Sequence, residues 1–147
     1  MAPELSRQEY VLAALASAGD ASFEPVHVQK LFFLLDERIG PRLGGKYFDF
    51  QPYDYGPFDR DVYDELSILR AEGCVLVDQD WRGLRRYHLT PDGAQRGRAH
   101  LQSLPHDVQA EVSKYSAWVV EQSFTSLVSA VYKAFPAMRA NSVFVEP

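Results

Sequence analysis

Residues 25–39 constrain this chain more than any other segment. Pro25 suits the first position of a helix, where its missing N–H costs nothing. Val28, Leu31, Phe32, Phe33, Leu34 and Leu35 then occupy most of a helical circumference. A helix apolar on every side has no face to offer to water, so it belongs at the centre of a fold with other elements packed around it. Gly40, Pro41, Gly44 and Gly45 end it.

The neighbouring segments supply that cover. Ser6-Arg7-Gln8-Glu9 is a capping box, in which the Ser6 hydroxyl and the Glu9 carboxylate satisfy first-turn amides. It opens a first helix with Val11, Leu12, Leu15 and Ala18 on its apolar side, closed near Gly19. Residues 47–53 alternate weakly and suggest a short strand. Gly56-Pro57 is expected to turn the chain into a third helix over about 58–72, with Gly73 just past its end. Phe58, Val62, Leu66 and Leu69 share one face of that helix and should dock on the second. Segments 75–78 and 85–89 have the length and separation of a β-hairpin, joined through Trp81 and Gly83. Thr90-Pro91-Asp92 is an N-cap followed by proline at the first helical position. Beyond Pro105, Val108, Val112, Tyr115 and Val119 mark one more helix. Phe124, Leu127, Val128, Val131 and Phe135 mark another, which Pro136 ends.

The order helix, helix, helix, hairpin, helix is that of a winged helix, a scaffold whose third helix and hairpin usually face DNA. The expected fold class is mainly α with a small β-hairpin. A winged-helix-like core over 6–93 carries a helical extension over 94–147 packed on it, in a single domain of 147 residues. A domain of this size buries about 70% of its unfolded surface, and 46% apolar residues suffice for that core. Cys74 is the only cysteine, which excludes an internal disulfide and a cysteine-based zinc cluster. Residues 1–6 lack the basic and apolar regions of a signal peptide, and no apolar stretch is long enough to span a bilayer. A cytoplasmic location with no membrane partner is expected.

Charge is distributed unevenly. Nine carboxylates between Asp49 and Asp80 face only Arg60 and Arg70, whereas Arg82, Arg85, Arg86, Arg96 and Arg98 face only Asp92. At 100° per residue, Asp61, Asp64, Glu65, Ile68 and Glu72 share the third helix's outer face. A DNA-reading helix needs Arg, Lys, Asn or Gln there, because phosphates and base edges favour donors and positive charge. Carboxylates repel phosphate, so major-groove reading by this helix is disfavoured. The face is either simply solvated or meets a basic or amphipathic protein surface. Trp81, Arg82, Arg85 and Arg86 at the wing keep nucleic acid as an alternative; otherwise these arginines pair with the acidic third helix.

Tyr47, Phe48, Phe50, Tyr53, Tyr55 and Phe58 crowd one short segment, either as core filling or as an exposed recognition patch. Catalytic and metal signals are poor. Asp78-x-Asp80-x-x-Gly83 imitates a calcium loop but has Arg82 at the fifth position and Leu89 at the twelfth. His27, His88, His100 and His106 lack zinc-ligand spacing, and Cys74 beside Val75 and Leu76 suits a buried apolar role. Neither a phosphate-binding glycine loop nor a nucleophile elbow occurs. No catalytic residue, metal or cofactor is expected.

Several of these segments together resemble a known family. Val28-Gln29-Lys30-Leu31-Phe32-Phe33-Leu34-Leu35-Asp36 is similar to the second helix of the Panacea/SocA antitoxin-like domain. Tyr55-Gly56-Pro57-Phe58, followed by Val62-Tyr63 and Leu66, resembles that domain's Gly-Pro turn and next helix. Tyr87-His88-Leu89-Thr90 with Gly93 resembles its wing exit. Val131-Tyr132-Lys133, Phe135-Pro136 and Asn141-Ser142 are similar to the closing helix of a phage-associated branch. The resemblance implies a domain that neutralises a toxin by direct protein contact, or an adaptor that delivers one to an ATP-dependent protease. The chain is therefore expected to be a non-enzymatic protein-binding module, with a cognate toxin as the implied partner. The expected contact residues are Tyr53, Tyr55, Asp61, Asp64, Glu65 and Ile68. A winged-helix transcriptional regulator using the wing arginines is the alternative.

Overall fold

The structure, a computed structural model, describes residues 5–145. Residues 1–4, part of the amino-terminal segment considered above, and residues 146–147 lie outside the described residues.

Helix α1 (Arg7–Ala16) begins at the expected capping box: the Glu9 amide donates to Ser6 Oγ at 3.1 Å and the Ser6 amide to Glu9 Oε1 at 2.8 Å. Helix α2 (Pro25–Ile39) has the expected bounds and is buried at every position from His27 to Asp36. Its apolar side chains fill the core, but four of the buried residues are polar: His27, which bonds to the Glu24 amide and the Gln122 carbonyl, and the trio Gln29, Lys30 and Asp36. A buried polar group needs partners. The trio finds them in one place, the backbone of segment 46–59. Asp36 accepts from the Tyr47 amide at 3.3 Å, the Phe48 amide at 3.0 Å and the Tyr10 hydroxyl at 3.1 Å. Lys30 Nζ donates to the Pro57 carbonyl at 3.2 Å. Gln29 grips Asp59 twice, accepting from its amide at 2.9 Å and donating to its carbonyl at 3.0 Å.

These clamps explain two departures from the sequence expectations. Gly56-Pro57 does not lead directly into the third helix. Strands β1 (Gln51–Tyr53) and β2 (Gly56–Phe58) form an additional antiparallel hairpin, with Tyr53 opposite Gly56, and the turn needs the positive φ of Gly56. Helix α3 (Arg60–Ala71) starts two residues after Phe58, because Gln29 holds Asp59 extended and Asp59 then caps the helix by accepting from the Asp61 amide. Phe58 thus leaves the helical face assigned to it and stacks on Tyr53, with ring centroids 5.1 Å apart. Val62, Leu66 and Leu69 are buried as their spacing predicts.

Strands β3 (Val75–Gln79) and β4 (Arg85–Leu89) form the expected hairpin, one residue longer at β3. Phe23, between α1 and α2, bridges to Tyr87 through two backbone hydrogen bonds of 3.0 and 2.8 Å, tying the wing to the core. Thr90 caps α4 (Pro91–Gln102) by accepting from the Gly93 amide and also donates to the Gly73 carbonyl. Helix α4 lies close against α1: a β-carbon at Gly97 would come within 2.5 Å of the Leu12 carbonyl oxygen, and one at Gly93 within 2.0 Å of that of Cys74. Cys74 is fully buried. Helices α5 (His106–Glu121) and α6 (Phe124–Ala134) close the other side of α2, and Val112, Val119, Leu127 and Val131 join the same core as Leu12 and Phe32. The chain is mainly helical with two small antiparallel hairpins. Among the described residues no helix is long and apolar enough to cross a membrane.

Two substitutions test this account by chemical denaturation. Asp36→Ala strands two amides and a tyrosine hydroxyl in the core and should cost about 3 kcal/mol. Gly97→Ala forces α1 and α4 apart and should cost about 2 kcal/mol, whereas alanine at exposed Ser103 should change stability little.

Candidate protein-binding groove

The acidic face of α3 is less available than its sequence implies. Asp61 and Glu65 both accept from Arg7 of α1, at 3.2 and 3.1 Å, and Glu72 accepts from Gln8 at 2.7 Å. Asp64 and Ile68 remain exposed. The wing is also internally paired. Arg82 bonds to Asp80 at 2.7 Å, and the hydrogen bond from Arg82 holds the Asp80 carboxyl below its ordinary range. Arg86 reaches Ser22 at 3.1 Å and lies near Glu24 and Asp80, while Arg85 covers the Tyr63 ring. Arg96 does pair with Glu72 of α3, but Arg82 and Arg86 are held by carboxylates outside it. Trp81 stands 92% exposed at the wing tip.

The aromatic segment divides between both of its sequence readings. Tyr47, Phe48 and Phe50 pack against the core, whereas Tyr53 and Tyr55 are 56% and 44% exposed. The two tyrosines stand over a cavity of about 280 Å³ whose floor includes Gln29 and Lys30 of α2. One wall is a ladder of rings, Tyr53 to Phe58 at 5.1 Å and Phe58 to Tyr63 at 5.8 Å. The other pairs Tyr55 with Phe124 of α6 at 5.1 Å, edge to face. The chain end straps this hairpin in place: Asn141 donates to the Pro52 carbonyl, and the Val143 amide and Ser142 hydroxyl donate to that of Asp54.

A second cavity, about 300 Å³, shares Pro25, Val26 and Phe124 with the first and ends at Arg82 and Leu84 of the wing loop. The two adjoin along these residues, and the surface they flank runs from the wing loop to the β1–β2 turn. It brings together Tyr53, Tyr55 and Arg82. Asp61, Asp64, Glu65 and Ile68 do not line it. A separate groove beside Trp118, between α2, α5 and α6, has an apolar floor with Arg38 and Lys114 at its rim.

Lys30 is the residue that the sequence reading passed over. It is 4% exposed, and burial lowers its pKa to about 8. Among the described residues its ammonium has no ion-pair partner, only the Pro57 carbonyl. The sequence marks Phe124 as a helix residue and carries no signal that it borders a site. The available signal for Lys30 was a lysine inside a helix whose neighbours on all sides are apolar, a setting in which lysine is seldom found. Among the described residues no group of three or more His, Cys, Asp or Glu could hold a metal ion. No family model, curated protein or solved structure matches the chain.

A buried, charged Lys30 has a stability signature. Its folded pKa of about 8 lies below the ordinary 10.5, so between these values the unfolded chain binds more protons and stability rises with pH. Relative to Lys30→Met, the wild-type protein should gain about 2 kcal/mol between pH 7 and pH 10. The comparison removes the opposing effect of the buried tyrosines Tyr10, Tyr47, Tyr63 and Tyr87, whose pKa values burial raises. Denaturation midpoints of the two proteins at the two pH values measure it.

Proposed function

We propose that this chain is a non-enzymatic protein-binding module, acting as a toxin-neutralising antitoxin or proteolytic adaptor of the Panacea/SocA type in the cytoplasm. Its groove takes an extended segment of the partner protein. The observation that carries this reading is the exposure of Tyr53, Tyr55 and Phe124 around two adjoining cavities. Rings held by neighbouring rings offer large contact area at small entropic cost, as in other protein-recognition surfaces. The strap from the chain end and the clamps from α2 support the same reading, because a preorganised surface loses less freedom on binding.

The charge pairs of the wing favour protein over DNA. Arg82 and Arg86 are partly neutralised by Asp80 and Glu24 before any phosphate could approach, which reduces the counterion release that drives DNA binding.

A photo-reactive phenylalanine analogue at Tyr55 should capture a discrete protein adduct in host cells, and the Phe124→Ala background should weaken that adduct. The same analogue at exposed Arg98 of α4 should not produce it. Absence of an adduct at Tyr55, or equal capture at both positions, overturns the groove. Steeply salt-dependent binding to the gene's own upstream DNA, lost in Arg85→Ala and Arg86→Ala, would favour a transcriptional regulator instead.

A further inference from the structure

We propose that the groove is a carboxylate-receiving site, in which an Asp or Glu side chain of the partner's extended segment forms an ion pair with Lys30 Nζ. This rests on the groove reading above and names what the partner must present. Lys30 carries more charge and more donors than its one contact uses. Lys30 Nζ carries three donors, and the Pro57 carbonyl at 3.2 Å takes one. Holding a backbone carbonyl does not require a cation: Gln29, one residue earlier, holds both polar groups of Asp59 with a neutral amide. A desolvated ammonium with a single neutral acceptor is costly unless an anion completes it. Among the described residues the buried Tyr132 hydroxyl nearby also lacks a hydrogen-bond partner. A β-carbon at Gly56 would meet both the Tyr132 ring at 3.3 Å and Lys30 Cε at 3.8 Å, which places the two side chains around the same glycine.

Size and surroundings narrow the anion. At about 280 Å³ the cavity lies just below the range of small-molecule sites, which run from roughly 300 to 1,000 Å³, and it adjoins a second cavity along Pro25, Val26 and Phe124. One side chain of a longer segment fits that shape better than a free cofactor. Asp54 also lines the cavity, on the exposed β1–β2 turn where water and salt screen it. Lys30 is shielded from that screening, so the floor is the stronger electrostatic feature. Asp54 nonetheless disfavours a doubly charged phosphate more than a single carboxylate. The apolar stretch at Val26 and Phe124 adjoins the floor, so an apolar or aromatic residue should neighbour the acid.

Selection of a displayed random-peptide library without free C-termini on the immobilised full-length chain tests this. Enriched peptides should share an Asp or Glu beside an apolar residue. Exchanging that acid for its amide should weaken binding to the wild-type chain at least about thirtyfold, a comparison that leaves the protein unaltered. Lys30→Met, checked for an intact fold by its circular dichroism, should bind the acid and amide peptides equally. Enriched peptides that lack an acid, or tolerate the amide, but still depend on Tyr55 and Phe124 would overturn the carboxylate site and leave the groove standing. Binding indifferent to Tyr55→Ala and Phe124→Ala would overturn the groove as well. Failure to enrich any peptide would overturn both.

Discussion

Asp36 lies in the middle of the core and holds the amides of Tyr47 and Phe48 against the central helix. Burial raises its pKa, and the hydrogen bonds from Phe48, Tyr47 and Tyr10 recover only part of that cost. Much of the structure depends on this contact. It fixes where the chain goes after α2, and so where Phe48 and Phe50 enter the core. Phe48 meets Phe32 at 5.8 Å and Arg7 covers its ring, which joins α1, α2 and the loop in one cluster. With Gln29 and Lys30, Asp36 makes α2 a spine with polar hooks at both ends of the loop it carries.

The same hooks shape the groove. Gln29 keeps Asp59 extended, which ends β2 and starts α3 at a defined residue. Tyr53 and Tyr55 therefore project from a short hairpin braced on one side by α2 and on the other by the chain end. The groove is thus a consequence of how the centre of the fold satisfies its buried polar atoms. Gln29 and Asp36 use their hydrogen-bonding capacity on the backbone, while Lys30 uses one donor of three.

Charge placement shows how an outward reading of one helix can mislead. The carboxylates of α3 do lie away from its buried face, as their periodicity requires. Arg7, distant in sequence, nevertheless binds two of them, because α1 crosses α3 at that level. The wing arginines likewise meet Asp80 and Glu24, partners set by the turn after β3 and by the bridge from Phe23. Net charge along a segment measures what is available for pairing, and pairing is settled between segments.

Local chemistry determined the helix starts. The Ser6–Glu9 box, Pro25 and the Thr90-Pro91 cap act within one turn, so their outcomes could be read from adjacent residues, as could the buried faces set by helical spacing. The central place of α2 followed from its apolar circumference. The β1–β2 hairpin, the delayed start of α3 and the exposure of Tyr53 and Tyr55 were decided by tertiary structure. Each depends on hydrogen bonds or ring contacts between residues far apart in the chain, such as Gln29 with Asp59 and Tyr55 with Phe124. Lys30 shows the division most clearly: sequence placed a cation in an apolar helix, and only the packing around that helix left it beneath an open groove with donors unused.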